Sequence, residues 1–377
     1  MPAVIYHPGY QQYSFGDEHP FSPLRVEMML GLLRELGHEV RTIAPEPAGR
    51  EEVLRVHEEY YVRRVEALSK AQKVADSADY GLGTPDNPVF PNMDAAARWH
   101  VGGTLHAARL ICERGEKRVF QLGGGLHHAR RNCASGFCIY NDLAIAIDYL
   151  TRQGLWVAYL DIDVHHGDGV QQMFYDDKRV MTISLHESGR YLFPGCGEVH
   201  ELGSGLGRGL KLNLPLEPFT EGDSYLEIFD QVVPAALKQF HPGVLVVQAG
   251  ADAHYDDPLA DLMLTTRDYE TIFRRILALA DAHTSGRVLF TLGGGYSLRA
   301  TPRIWAILYL VMHGLPLPAE LPGTWRDRWN RVLEQPLPRT FHDPNPGYAA
   351  IPNRHDIAQH NRQVARRLLD ATSHYWF

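Results

Sequence analysis

The chain has 377 residues, 45% hydrophobic and 22% charged, an ordinary globular composition with length enough for a large core. Its 37 basic against 45 acidic residues give a formal charge of −8, with no Lys/Arg-rich run, which argues against nucleic acid as a primary partner. Four cysteines (Cys112, Cys133, Cys138 and Cys196), none in a C-x-x-C pair, argue against a disulfide scaffold or a thiolate zinc knuckle and point to a reducing cytoplasm.

The opening "MPAVIYHPGY" shows no basic start followed by a long apolar stretch, so no secretory signal is expected. In chain order the candidate strands are "AVIYH", "HEVRTI", "RVFQLG", "LWVAYLDID", "RVMTISL", "GVLVVQAG" and "RVLFTLG". Helical patterns lie near 23–36, 58–74, 93–114, 139–153, 223–240, 267–284 and 299–313. This alternation, with continuously apolar strands, predicts an α/β fold: a single open, mostly parallel sheet with helices on both faces. The run "IWAILYLVM" (Ile304 to Met312) is too short to cross a bilayer and reads as a core helix, so no membrane partner is expected. After Leu315 the chain turns Pro-rich, and a last helix is expected over 354–371. Residues 315–377 are expected to wrap the same body, giving one domain over 1–377.

Polar residues gather at one kind of place. "RVFQLG" runs into "GGLHH", "LWVAYLDID" into "VHHGDG", "RVMTISL" into "HESG", "GVLVVQAG" into "ADAHYDD" and "RVLFTLG" into "GGYS". Each is the carboxyl end of a predicted strand, where open α/β sheets bind ligands. If the strand continues through "DIDVH", Asp161, Asp163 and His165 share one face while Ile162 and Val164 face a helix. A carboxylate and an imidazole two residues apart can grip one cation. A catalytic zinc site typically takes three protein ligands, and Asp252 is the candidate third. The spacing also allows His127 and His128 as ligands. In the economical solution Asp163, His165 and Asp252 hold the metal, and His127–Asp161 and His128–Asp168 are proton-transfer dyads.

"GGGLHHARRNCASGFCIYND", "DIDVHHGDGVQQMFY", "MTISLHES…FPG", "GADAHYDDPL" and "LGGGYS", in this order over roughly 5 to 315, together resemble the zinc-dependent histone deacetylase family, in its bacterial acetoin-utilisation branch. The resemblance implies the arginase–deacetylase fold and Asp163, His165 and Asp252 as metal ligands. It implies His127 and His128 as the proton-handling pair and Tyr296 as the transition-state tyrosine. It further implies Gly136, Phe137 and Phe193 as walls of an acyl-lysine tunnel, Leu259 at its rim, and Asp86 as a rim aspartate that bonds the substrate backbone. A structural potassium ion is implied too, held by side chains of Asp161 and Ser184 and carbonyls of Asp163, His165 and Leu185. Departures lie in "AHYDDPL", expected to place His254 and Tyr255 near the mouth, and in the lack of a basic tail, which disfavours histones as substrates.

The expected reaction is hydrolysis of an acetylated protein lysine or a small acetylated amine. Zinc is the expected metal, although oxygen and nitrogen ligands suit ferrous iron as well. His128 is expected as the main base and acid, with His127 chiefly electrostatic, and Tyr296 as oxyanion donor. "GSGLGRG" (Gly203 to Gly209) precedes the strand-like "LKLNLPL" and so is a turn, not a dinucleotide loop. Ser135 lacks a nucleophile elbow, and Cys138 reads as a packed thiol. Three rivals remain: an acetylpolyamine deacetylase, a binuclear manganese ureohydrolase suggested by "DAHYD", and an inactive acyl-lysine binder.

Overall fold

Seven short runs rich in Val, Leu and Ile form one sheet in the computed structural model, which describes residues 1–71, 76–345 and 347–376. They are β1 (Ala3–Ile5), β2 (Arg118–Gln121), β3 (Val157–Asp161), β4 (Val180–Glu187), β5 (Lys211–Leu216), β6 (Val244–Gln248) and β7 (Val288–Thr291). The order is β1-β2-β7-β6-β3-β4-β5, and every neighbouring pair is parallel. The sheet is thus wholly rather than mostly parallel.

"LKLNLPL" supplies β5, an edge strand, where Pro215 costs no ladder bond that a neighbour needs. "HEVRTI" is not a strand. Only Ile43 pairs, bridging Ile5, while Glu39, Arg41 and Thr42 lie exposed. An exposed run gains no burial by joining the sheet, whatever its β propensity.

Among the described residues the helices are α1 (Leu24–Glu35), α2 (Arg50–Val53), α3 (Glu59–Ser69), α4 (Met93–Arg114), α5 (Asp142–Arg152), α6 (Asp168–Met173), α7 (Gly222–Phe240), α8 (Thr266–His283), α9 (Thr301–Met312), α10 (Gly323–Trp329) and α11 (Arg354–Trp376). Local chemistry fixes several ends. Asn141 Oδ1 accepts from Ala144 N at 2.8 Å to open α5, Thr265 and Asp268 form a capping box on α8, and Gly115, at φ 68°, closes α4. The expected helix over 58–74 ends at Ser69, and its positions 72–74 lie outside the described residues.

The period of two sorts the strand residues onto two cores. Val157, Tyr159, Val244, Val246 and Leu289 pack with α2 to α6. Ala158, Leu160, Leu245, Val247 and Phe290 pack with α1 and α7 to α11. Every residue of α9 is buried, as the apolar run "IWAILYLVM" requires. No helix among the described residues is long and apolar enough to cross a membrane. Beyond residue 315, α10 rests on α1, with Trp325 Nε1 donating to Met28 O at 2.9 Å, and α11 packs along α7 and β5.

Candidate active site

β3 ends at Asp161, short of the run through His165 that period-two alternation suggests. Ile162 N still donates to Gln248 O at 3.2 Å, and the chain then turns. The turn keeps Asp163 and His165 together and brings Asp252, from beyond β6, against them. One ligand atom from each of the three lies within 4.8 Å of the others, and all three residues are buried. His165 Nδ1 is 3.1 Å from Asp163 Oδ1 and 3.2 Å from Asp252 Oδ2. The remaining oxygens are aimed by the fold. Asp163 Oδ2 accepts from Gln248 Nε2 at 2.6 Å and Gly294 N at 2.8 Å, and Asp252 Oδ1 accepts from Val164 N at 2.8 Å. A Cβ at Gly294 would lie 1.9 Å from Asp252 Oδ2, so only glycine fits there.

Burial and close contact set the charges of these three groups against one another. Burial and the Asp163 charge push Asp252 well above the usual carboxylate range. Burial also opposes the charge on Asp163, but His127 and His165 outweigh it and hold that group well below the usual range. Burial likewise disfavours a charged His165, yet Asp163 and Asp252 lift it to about 10. Two buried carboxylates, each oriented by further hydrogen bonds, and an imidazole between them form a donor set that fits a divalent metal.

Two His–Asp pairs flank the group. His127 Nδ1 lies 2.8 Å from Asp161 Oδ2, which also accepts from Tyr159 Oη at 2.5 Å. His128 Nδ1 lies 2.8 Å from Asp168 Oδ1, while Arg130 Nη2 donates to Asp168 Oδ2 at 2.8 Å. With Nδ1 engaged by a carboxylate, Nε2 is the nitrogen left for chemistry. The ring centroids are 3.9 Å apart. Burial disfavours charge on His127, but Asp161 and Asp163 outweigh it and raise the group to about 9. Burial and the charge of His127 push His128 down to about 3. Burial would raise Asp168, but His128 and Arg130 bring it to about 2.

Tyr296 follows β7 and is half-buried. Burial and the Asp252 and Asp163 carboxylates hold its phenol well above the ordinary range, so it stays a donor. Phe137 packs edge-on to Tyr296 at 5.7 Å, and Phe193 edge-on to His128 at 5.0 Å. Gly136 takes φ 50°, and a Cβ there would meet the His128 ring at 2.4 Å. Gly136, Phe137 and Phe193 therefore meet around His128 and Tyr296. Leu259 is half-buried, and its N–H donates to Asp257 Oδ1 at 3.0 Å. Asp86 is exposed beside His19, whose ring lies 4.5 Å from Phe137.

Asp161, the last residue of β3, pairs with Ser184 inside β4, and Leu185 follows Ser184, so the residues implied for potassium lie on two adjacent strands and the turn after β3. His254 does not line the mouth. It is fully buried, its Nε2 2.8 Å from Asp343 Oδ2, because the 315–377 segment supplies that carboxylate from inside. Tyr255 is half-buried, its ring 5.3 Å from that of Tyr348. Cys138 is buried and carries a free thiol.

Four residues escaped the sequence reading. Arg25 is buried and donates to Gly293 O at 3.0 Å and Gly295 O at 2.9 Å, holding the glycine run before Tyr296. Gln248 orients Asp163, Arg130 orients Asp168, and Asp257 accepts from Tyr296 N at 2.7 Å. The acid pair in "HYDDPL", next to a candidate ligand, is the one signal that marks Asp257.

Residues 19–312 match the family model described as the histone deacetylase domain. The acetoin utilization protein AcuC of Bacillus subtilis (strain 168) is 42% identical over 374 residues, covering 98% of this chain and 97% of that protein. AcuC of Staphylococcus aureus (strain MSSA476) is 37% identical over 369 residues, covering 96% and 95%. A crystal structure of an HDAC homolog complexed with SAHA superposes with a TM-score of 0.87 at 27% identity, covering 97% of this chain and 99% of that one. Its likeness extends to the whole arginase–deacetylase arrangement of sheet and helices.

Proposed function

The chain belongs to the histone deacetylase family, and from that premise we propose that it is a metal-dependent hydrolase that removes acetyl groups from lysine side chains of proteins. The observation that carries this reading is the convergence of Asp163, His165 and Asp252, flanked by both His–Asp pairs and Tyr296, at one sheet edge. Asp163, His165 and Asp252 would hold the metal. A divalent ion there supplies Lewis acidity toward the amide carbonyl and lowers the pKa of water from about 15.7 toward about 7.

The rest of the chemistry belongs to the chain. His128 is neutral near pH 7, so its Nε2 is free to accept the proton of the attacking water and pass it to the departing amine. His127 is charged and stabilises negative charge building nearby. The Tyr296 hydroxyl donates to the oxyanion, a contribution of roughly 3 kcal/mol. Gly136, Phe137 and Phe193 seat the lysine stem between apolar walls, and Leu259 and Asp86 meet the substrate outside. A potassium ion held by the turn after β3 and by Ser184 and Leu185 of β4 would stiffen the Asp161–His165 turn. Zinc and ferrous iron both suit the donor set.

The test is acetate release from an acetyl-lysine peptide, compared with acetylspermidine and with urea release from arginine, alongside elemental analysis. Asp252→Ala should stay folded, lose most bound metal and lose nearly all turnover. Stoichiometric metal in that variant after dialysis would overturn the ligand assignment. Turnover of acetylspermidine alone moves the substrate to small amines. Urea release with two ions per chain would replace the reading by a ureohydrolase, and peptide binding without turnover in the metal-loaded protein by a binder.

A further inference from the structure

Tyr296 sits at the end of "LGGGY", a segment outside regular structure whose Gly295 adopts φ 125°. Its glycines are pinned on one side. Gly294 N donates to Asp163, Ala251 N donates to Gly294 O at 2.9 Å, and Arg25 holds the carbonyls of Gly293 and Gly295. None of these bonds reaches Tyr296 itself. The first amide past the glycines is Tyr296 N, and it donates to Asp257 Oδ2 at 2.7 Å. The other oxygen of the same carboxylate accepts from Leu259 N at 3.0 Å. Asp257 is only 7% exposed, and both of its oxygens are spent on backbone amides. Its neighbour Asp256 takes Ser297 Oγ at 2.7 Å and Arg299 Nη1 at 3.0 Å, so the clamp continues past the tyrosine.

We propose that Asp257 is a positioning residue that sets the Tyr296 hydroxyl and the Leu259 rim in fixed relation to each other. This rests on the reading of Tyr296 as oxyanion donor. One carboxylate joins the Tyr296 amide directly to the Leu259 amide, beside the Asp256 bonds to Ser297 and Arg299 that also tie the two loops. The phenol's reach toward the carbonyl then depends on a bond that the substrate never touches. An amide side chain cannot replace it, because the two amides bond to different carboxylate oxygens and one of them would face the Asn Nδ2 donor.

The experiment uses the full-length, metal-loaded protein with Asp257→Asn, Tyr296→Phe and the double variant, all assayed on an acetyl-lysine peptide. Asp257→Asn should lower kcat about 10- to 100-fold, as a small displacement of a reacting group does, with KM and metal content little changed. In the Tyr296→Phe background the same substitution should cost little more, because the hydroxyl it positions is gone. Losses that multiply independently would overturn the proposal. Hydrogen exchange over 293–299 supplies a second readout: the Tyr296 amide should be protected in the wild type and exposed in Asp257→Asn. Unchanged protection would overturn it too. If the metal-loaded wild type turns over no acetylated amine, the deacetylase reading fails, while hydrogen exchange still judges the clamp.

Discussion

His127 and His128 are adjacent in sequence and 3.9 Å apart, yet their surroundings drive them to opposite charge states. His127 faces Asp161 and Asp163, and among the described residues Asp161 has only the neutral hydroxyl of Tyr159 as a further side-chain partner. His128 faces a carboxylate already engaged by Arg130, and it is repelled by its charged neighbour. His128→Ala should abolish turnover and keep the metal, while His127→Ala should be milder. Turnover and metal content of both variants check this, and joint loss of metal would make the imidazoles ligands. The donors were legible because strand ends are the places where an α/β sheet collects polar groups. Arg25, Gln248 and Asp257 were not, because they work largely on backbone amides and carbonyls or on another side chain. Arg25, in "PLRVEM", reads as one more polar position of a helix until the fold closes over it.

At the scale of elements, β5 holds an anomaly. Alternation along "LKLNLPL" makes Lys211 look solvent-facing, yet it is fully buried, and Nζ donates to Val180 O at 2.5 Å. Burial brings its amine down to about 7, against partial help from Asp177 and Asp176. The unfolded chain binds this proton up to about pH 10.4, the folded chain only up to about 7. The folded state is therefore penalised fully below pH 7, and the penalty fades as pH rises toward 10.4. Lys211→Met should stabilise the protein below pH 7 by a few kcal/mol, because it removes a charge held in a buried site. The gain should shrink steadily between pH 7 and 10. Denaturant melts across that range check it, and a pH-independent difference would show that the amine is not the cause. Element boundaries followed local chemistry where it was strong: α4 spans Met93–Arg114 as expected, with Gly115 to stop it. They failed where burial decided, as at "HEVRTI", whose pattern suits a strand that has nothing to cover it.

At the scale of the molecule, the 315–377 segment is tied into the body at Asp343. That carboxylate joins His254 Nε2, Arg303 Nη2 and Thr266 N, each at 2.8 Å, linking the Asp252 loop, α9 and the start of α8. Asp343→Asn should destabilise the protein by about 3–5 kcal/mol, as breaking a buried ion pair does, and loosen its grip on metal. A denaturant melt and metal retention after dialysis measure both. No sequence pattern pairs "FHDPNPG" with "DAHYD"; the pairing exists only once the last segment has folded back. The sheet order has a temporal consequence of the same kind. β3 lies between β6 and β4, and β2 pairs with β7, so strands far apart in sequence stand side by side at the centre. On the ribosome, a chain grown as far as Gly250 carries Asp163 and His165 but neither Asp252 nor Tyr296. Such a nascent chain has two jaws of a three-jawed chuck, and it stays chemically silent until the remaining third of the protein emerges.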